Sequence, residues 1–207
     1  MSSFNHEDME FKINNSSNTR VWVVDDFYED PYAVRNYALM QHYFDKDNND
    51  GGYVGFRTRT QHLFPGLKQK FEGIMNKRIT KWEEYGMNGR FQAGYAGTWR
   101  VYHCDDQTYA GMLYLTPDAP VECGTSLLMH KETKIRHSSH PNIMSTFRSE
   151  STLDKTPYQE VDVIGNVFNR LMLFDARCIH SATDYFGFNL NNCRLWQIFF
   201  FDAEDYV

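Results

Sequence analysis

From about Arg90 onward, apolar and aromatic residues come in short runs separated by turn residues: 90–95, 98–102, 110–115, 125–130, 160–164, 169–174, 178–181 and 194–201. Runs of this length and spacing predict the strands of an antiparallel sandwich or barrel. The first part of the chain is patterned differently. Val21-Trp22-Val23-Val24 is a short β-like run. Asp30-Pro31 reads as an N-cap followed by proline in the first turn, and predicts a helix to about Met40. Pro65-Gly66 opens a second predicted helix, through Phe71 and Ile74 to about Arg78. Residues 1–19 are polar, with an Asn/Ser cluster at 14–18, and read as a flexible lead-in. Two further stretches, 41–52 and 132–158, read as loops by composition. There is no internal repeat and no heptad pattern. The expectation is one mainly β domain over 20–207. Residues 20–89 would form a helical support on the outside, and 90–207 the β core.

Composition supports the β-rich reading. Of 207 residues, 16 are Phe and 13 Tyr, and aromatic side chains fit a pleated, half-buried surface. A chain this long buries roughly 70% of its unfolded surface, enough for a sizeable core. The net charge of −6 argues against a broad basic face for nucleic acid. Apolar runs fall far short of the ~20 residues of a membrane span. The start, MSSFNHEDMEFK, has no apolar segment of the secretory kind. Cys104, Cys123, Cys178 and Cys193 form no C-x-x-C pair, so free thiols in a reducing, cytoplasmic setting are expected.

Three segments carry candidate chemistry. In Tyr102-His103-Cys104-Asp105-Asp106, a His and a carboxylate two residues apart point the same way on an extended chain. They can therefore offer one nitrogen and one oxygen to a common metal; alternatively His103 is a loop histidine beside two acids. His180 follows the apolar run Leu171-Met172-Leu173-Phe174 and a turn. A distant second His added to a His-carboxylate pair makes a two-His-one-carboxylate facial set, which leaves metal positions open; alternatively His180 is a hydrogen-bonded core residue. Arg194 opens the apolar run Leu195-Trp196-Gln197-Ile198-Phe199-Phe200-Phe201. An inward strand arginine is costly unless it meets an anion, and its planar fork fits a carboxylate. It could instead sit at an edge facing solvent, and Arg170 and Arg177 compete for the same task. Asp106 competes with Asp105.

The order of these residues is more specific than any one of them. His103-x-Asp105, His180 about 75 residues on, and Arg194 fourteen residues after that resemble the 2-oxoglutarate/iron(II) dioxygenase superfamily. Within it the chain looks most similar to a prolyl-hydroxylase-like group that includes many oxygenases of marine bacteria and tailed phages. Further residues carrying the likeness are Tyr53-Val54-Gly55-Phe56-Arg57-Thr58, the run from Tyr109 to Pro120, Gly124-Thr125 and Asn169-Arg170-Leu171. The resemblance implies a double-stranded β-helix, the jelly-roll or cupin-like fold. It implies iron(II) held by His103, Asp105 and His180, with 2-oxoglutarate as cosubstrate and O2 as oxidant. It also implies that Arg194, helped by Tyr114, binds the distal carboxylate of 2-oxoglutarate; ordinary core packing is the alternative for Tyr114. Tyr95 and Tyr102 are weaker pocket candidates. The implied reaction is a hydroxylation releasing succinate and CO2, because relatives that halogenate have a small residue where Asp105 stands.

The substrate, a small molecule or a peptidyl side chain, is not specified by these residues; Arg57 is one expected contact. Cys104 between the proximal ligands, Trp196 two residues past Arg194, and the nearby His130 and His137 are features to place in space. The rival classes are a non-catalytic jelly-roll binding or phage structural module, and a cupin-like metalloenzyme that does not use 2-oxoglutarate.

Overall fold

The structure is a computed structural model, and it describes residues 20–45, 55–143 and 152–206. The predicted lead-in at 1–19, Tyr53-Val54 and parts of both predicted loops lie outside the described residues. In chain order the elements are β1 (Val21–Val24), α1 (Pro31–Leu39), β2 (Tyr43–Phe44), β3 (Phe56–Thr58), α2 (Leu67–Met75), β4 (Lys77–Lys81), β5 (Phe91–Gly94) and β6 (Tyr109–Tyr114). They continue with β7 (Thr125–His130), β8 (Tyr158–Ile164), β9 (Leu171–Asp175), β10 (His180–Ala182) and β11 (Arg194–Asp205).

The strands form two antiparallel sheets. The major sheet runs β1-β9-β6-β11-β5-β3-β2, with β4 added to the far end of β11; the minor sheet runs β10-β7-β8. This is the antiparallel, mainly β architecture that the strand spacing predicted, in the helix-flanked jelly-roll form that the resemblance implied. No described helix is long and apolar enough to cross a membrane.

The central strands of the major sheet are apolar on both faces, which is why they read as continuous runs rather than alternations. In β11, Leu195, Phe199 and Phe201 join the outer core with Phe71 and Met75 of α2 and Ala38 of α1. Trp196, Ile198 and Phe200 join the inner core between the sheets, with Met172, Phe174 and Tyr114. The same alternation places Leu171 and Leu173 outward and Met172 and Phe174 inward on β9. The helices thus cover one face of the major sheet, and the minor sheet faces the other.

Helix α1 begins as expected: the Asp30 carboxylate accepts from the Ala33 N–H at 2.9 Å, and Pro31 opens the first turn. Helix α2 stops at Met75, short of the expected Arg78. Asn76 adopts a left-handed conformation (φ 51°) and caps it. The chain then reverses into β4, which pairs with residues 202–205 of β11 and buries Ile79. The expected strand at 98–102 does not form. That segment is tied by single contacts instead: Tyr102 N–H donates to the Thr152 carbonyl at 2.8 Å, and Arg100 to the Thr183 carbonyl at 2.8 Å. Residues 20–89 supply β1 to β4 as well as both helices.

Candidate active site

His103 and His180 are brought together by backbone pairing. The two residues form an isolated antiparallel bridge, with N–H to carbonyl distances of 3.2 and 2.9 Å. His180 lies on β10, opposite Leu127 of β7. The chain then bends, and Asp105 N–H donates to the Ala176 carbonyl at 2.9 Å. That bend is why pairing stops at a single bridge: it swings the Asp105 carboxylate between the two imidazoles. Asp105 Oδ1 lies 3.5 Å from His103 Nε2, and Oδ2 lies 3.4 Å from His180 Nε2. The imidazole rings are 4.3 Å apart. Asp106, the competing acid, is exposed and does not belong to this cluster.

The outer nitrogens fix the rings. His103 Nδ1 donates to the Val101 carbonyl at 3.1 Å, and His180 Nδ1 to the Cys178 carbonyl at 2.9 Å. A carbonyl only accepts, so each Nδ1 carries its proton, and each Nε2 is the nitrogen free to ligate. Such backbone bonds commonly orient metal-binding histidines. The three ligand atoms lie within 4.8 Å of one another. Cis ligands ~2.1 Å from an octahedral ion stand ~3.0 Å apart, a few tenths of an ångström from the Nε2 to Oδ separations seen here. The donor set therefore fits a divalent ion with open positions.

The site's electrostatics agree. Burial and neighbouring His180 lower the His103 pKa to about 4. Burial also pulls His180 down, but the Asp105 carboxylate more than offsets it, and His180 is raised. Burial acts to raise Asp105, yet His180, His103 and Arg57 hold it below the usual carboxylate range. The opposite shifts record attraction between the Asp105 carboxylate and His180, a pull that a divalent cation held between them would supply in turn. Cys104 lines the same cavity, but burial pushes its thiol up to about 12, so it stays a neutral thiol rather than a thiolate ligand.

These residues line a cavity of about 560 Å³ that also takes in Arg57, Met87, Gln92, Met112, Thr125, Tyr185, Arg194 and Trp196. Arg194 is fully buried. Its Nη2 donates to Thr125 Oγ1 at 3.2 Å, while Nε and Nη1 are buried with no hydrogen-bond partner among the described residues. Among the described residues no carboxylate pairs with it. Aromatic rings surround the guanidinium: Trp196 at 4.9 Å, Tyr185 at 5.2 Å and Tyr114 at 5.7 Å. Its rivals are engaged elsewhere. Arg170 forms a fork on Asp25 at 2.6 and 2.9 Å, and Arg177 one on Asp175 at 2.9 and 3.0 Å.

Two glycines make room for this end of the cavity. Gly94 pairs with Arg194 across β5 and β11, and a Cβ on it would stand 2.4 Å from the Tyr185 ring. A Cβ on Gly124 would stand 1.9 Å from the Ile164 carbonyl oxygen, so only glycine lets β7 begin where it places Thr125. Thr125 is the residue that sequence reasoning left without a role; its signal was the Gly124-Thr125 pair. Tyr114 stands behind it: the Tyr114 hydroxyl and Thr125 Oγ1 share a hydrogen bond of 2.9 Å, and Tyr114 does not line the cavity. Tyr95 and Tyr102 do not line it either. Tyr95 packs on Phe56 and Tyr102 stacks on Tyr158.

A second group, His137, Asp175 and Cys178, also lies within 4.8 Å, but it reads as an ion-pair cluster. The Arg177 fork occupies both Asp175 oxygens, His137 Nε2 adds a contact of 3.1 Å, and Arg20 stands 3.9 Å away. His130 is buried, with Nδ1 bound to Thr133.

Solved structures share this fold. A prolyl hydroxylase from Trichoplax adhaerens, in complex with a hypoxia inducible factor oxygen degradation domain peptide fragment, is 12% identical with a TM-score of 0.51; 89% of this chain and 84% of that chain are covered. HygX from Streptomyces hygroscopicus, with nickel, 2-oxoglutarate and hygromycin B bound, is 10% identical with a TM-score of 0.56, covering 90% and 83%. A second HygX structure, with nickel and 2-oxoglutarate, gives the same values. At such identities the likeness is one of fold. No curated protein matches this chain. The model of a family of unknown function, DUF6445, matches residues 7–184, and the chain belongs to that family.

Proposed function

We propose that this chain is an iron(II)- and 2-oxoglutarate-dependent oxygenase that hydroxylates its substrate, carried on one domain over 20–207. The observation that carries the reading is a single cavity with a two-His-one-carboxylate cluster and, on the same lining, a fully buried arginine with two unpartnered donors. A metalloenzyme without a cosubstrate would leave that arginine unexplained, since an uncompensated buried charge costs several kcal/mol. A non-catalytic jelly roll would leave both features unexplained. Solved structures of the same fold hold nickel and 2-oxoglutarate. The comparisons add no support for the marine-bacterial and phage subgroup.

In this reading His103, Asp105 and His180 hold iron(II) through Nε2, a carboxylate oxygen and Nε2. The bound iron(II), with 2-oxoglutarate and O2, supplies an oxidant able to attack an unactivated C–H, with succinate and CO2 as products. Val101 and Cys178 keep the two rings aimed through their carbonyls. Arg194 and Thr125 receive the distal carboxylate, and Tyr114 positions Thr125. Ile198, Phe200, Ala110 and Met112 form an apolar wall of the same cavity, which excludes water and leaves space for a substrate body. Arg57 and Gln92, joined at 2.8 Å, provide polar contacts for it. The neighbours' ligands, a peptide fragment and hygromycin B, keep both substrate classes in view, a peptidyl side chain and a small molecule.

The direct test is turnover of 2-oxoglutarate to succinate without added substrate. Wild type is expected to show it with iron(II), and His180→Ala to lose it. Full activity in His180→Ala would remove the triad.

A further inference from the structure

Trp196 carries an unused donor. The residue is 2% exposed, its indole Nε1 is buried with no partner among the described residues, and the side chain lines the cavity. It stands two residues past Arg194 on β11, so both side chains leave the same face of the strand. The Arg194 guanidinium lies 4.9 Å from the indole centroid. Arg194 Nε, Arg194 Nη1 and Trp196 Nε1 are thus three buried donors on two neighbouring side chains of the cavity, with no acceptor among the described residues. Each orphaned donor is a cost to the fold. Three together are better explained by a ligand than by chance.

The acceptor they suit is a carboxylate. A carboxylate offers about four lone-pair sites, of which the arginine fork uses two. One guanidinium beside one neutral donor, Trp196, matches one negative charge; a phosphate dianion would call for a second cation. We propose that the Trp196 indole N–H is a direct ligand to the distal carboxylate of the 2-oxo acid, and so helps select a five-carbon dicarboxylate over monocarboxylic 2-oxo acids. This rests on the cosubstrate reading above.

The test is calorimetric titration of the Mn(II)-loaded full chain, without oxygen, using 2-oxoglutarate and its monocarboxylic analogue 2-oxopentanoate. Trp196→Phe keeps an aromatic ring and removes the N–H. Loss of a hydrogen bond to a charged group is expected to weaken 2-oxoglutarate binding by about tenfold or more, and to leave 2-oxopentanoate within about twofold of its wild-type affinity. Trp196→His, which retains a ring N–H, is expected to recover part of the loss, and it serves as the second variant if Trp196→Phe does not fold. Equal 2-oxoglutarate binding by wild type and Trp196→Phe would overturn the inference. So would parallel losses for both ligands, since those report ring packing. Absence of 2-oxoglutarate binding in wild type is a different failure: it removes the cosubstrate reading itself, and this inference with it.

Discussion

At the scale of single residues, the site combines two cheap devices and one expensive one. The cheap devices are the backbone carbonyls of Val101 and Cys178, which fix the histidine tautomers without any further side chain. The expensive one is Arg194, a buried cation amid aromatic rings whose hydrogen-bond partner among the described residues is a threonine hydroxyl. Binding a carboxylate there recovers two charge-assisted hydrogen bonds, each worth about 1.5–3 kcal/mol. Arg194→Ala is therefore expected to raise the 2-oxoglutarate concentration for half-maximal turnover by about a hundredfold or more, with little effect on metal affinity. Steady-state kinetics alongside a Mn(II) titration would check both halves; an unchanged requirement would point to a different anchor. At this scale the sequence was partly legible. Order and spacing singled out His103, Asp105, His180 and Arg194, and the structure brings all four to one cavity. Thr125 and the screening of Tyr114 behind it were not legible, because which of two neighbours reaches a cavity depends on strand register, not on residue type.

At the scale of elements, the turn between β9 and β10 sets the aim of His180. Asp175 closes β9 and holds this turn. Its carboxylate accepts from the Arg177 N–H at 3.2 Å and from the Arg177 guanidinium, and its carbonyl accepts from Cys178 N–H at 3.0 Å. Burial acts to raise the Asp175 pKa, but Arg177 and His137 outweigh it and leave the group lowered. A carboxyl lowered in the folded state stabilises the fold above its unfolded pKa of ~3.9, and that stability is lost as pH falls through the lower folded value. Asp175→Asn is expected to cost about 2 kcal/mol at neutral pH, ~4–8 °C in melting temperature. Its melting temperature should also fall less steeply than that of wild type as the solution is taken below pH 4. Melting curves from pH 7 to pH 3 would test this; parallel profiles would show that the group does not couple to folding.

Element boundaries were readable where the information is local. The strand at 125–130 matches β7, and the Asp30-Pro31 start matches α1, since alternation, capping and proline act within a few residues. The misread segments depend on distant partners. In β4, Lys77, Arg78 and Lys81 surround one buried residue, Ile79. What makes it a strand is its pairing with residues 202–205, together with ion pairs to Asp205, Glu204 and Asp202. The segment 98–102 has strand-like residues, but its neighbours offer single contacts rather than a ladder.

At the scale of the whole molecule, two sheets and two helices serve one arrangement. Helices α1 and α2 cover the outer face of the major sheet, so the inner residues of β11 can be given to the cavity: Arg194, Trp196, Ile198 and Phe200 follow one another along it. The minor sheet brings β10, and with it the His103 bridge, across from that wall. The proposed metal cluster thus lies by the minor sheet and Arg194 on the major sheet, and a ligand joining them would span the space between. The same geometry names the most direct measurement. Iron(II) and then 2-oxoglutarate are added to the protein without oxygen, and the visible spectrum is recorded. A charge-transfer band that appears only with both, and is absent in His180→Ala, is the expected result; a spectrum unchanged by 2-oxoglutarate in iron-loaded wild type would contradict the oxygenase assignment.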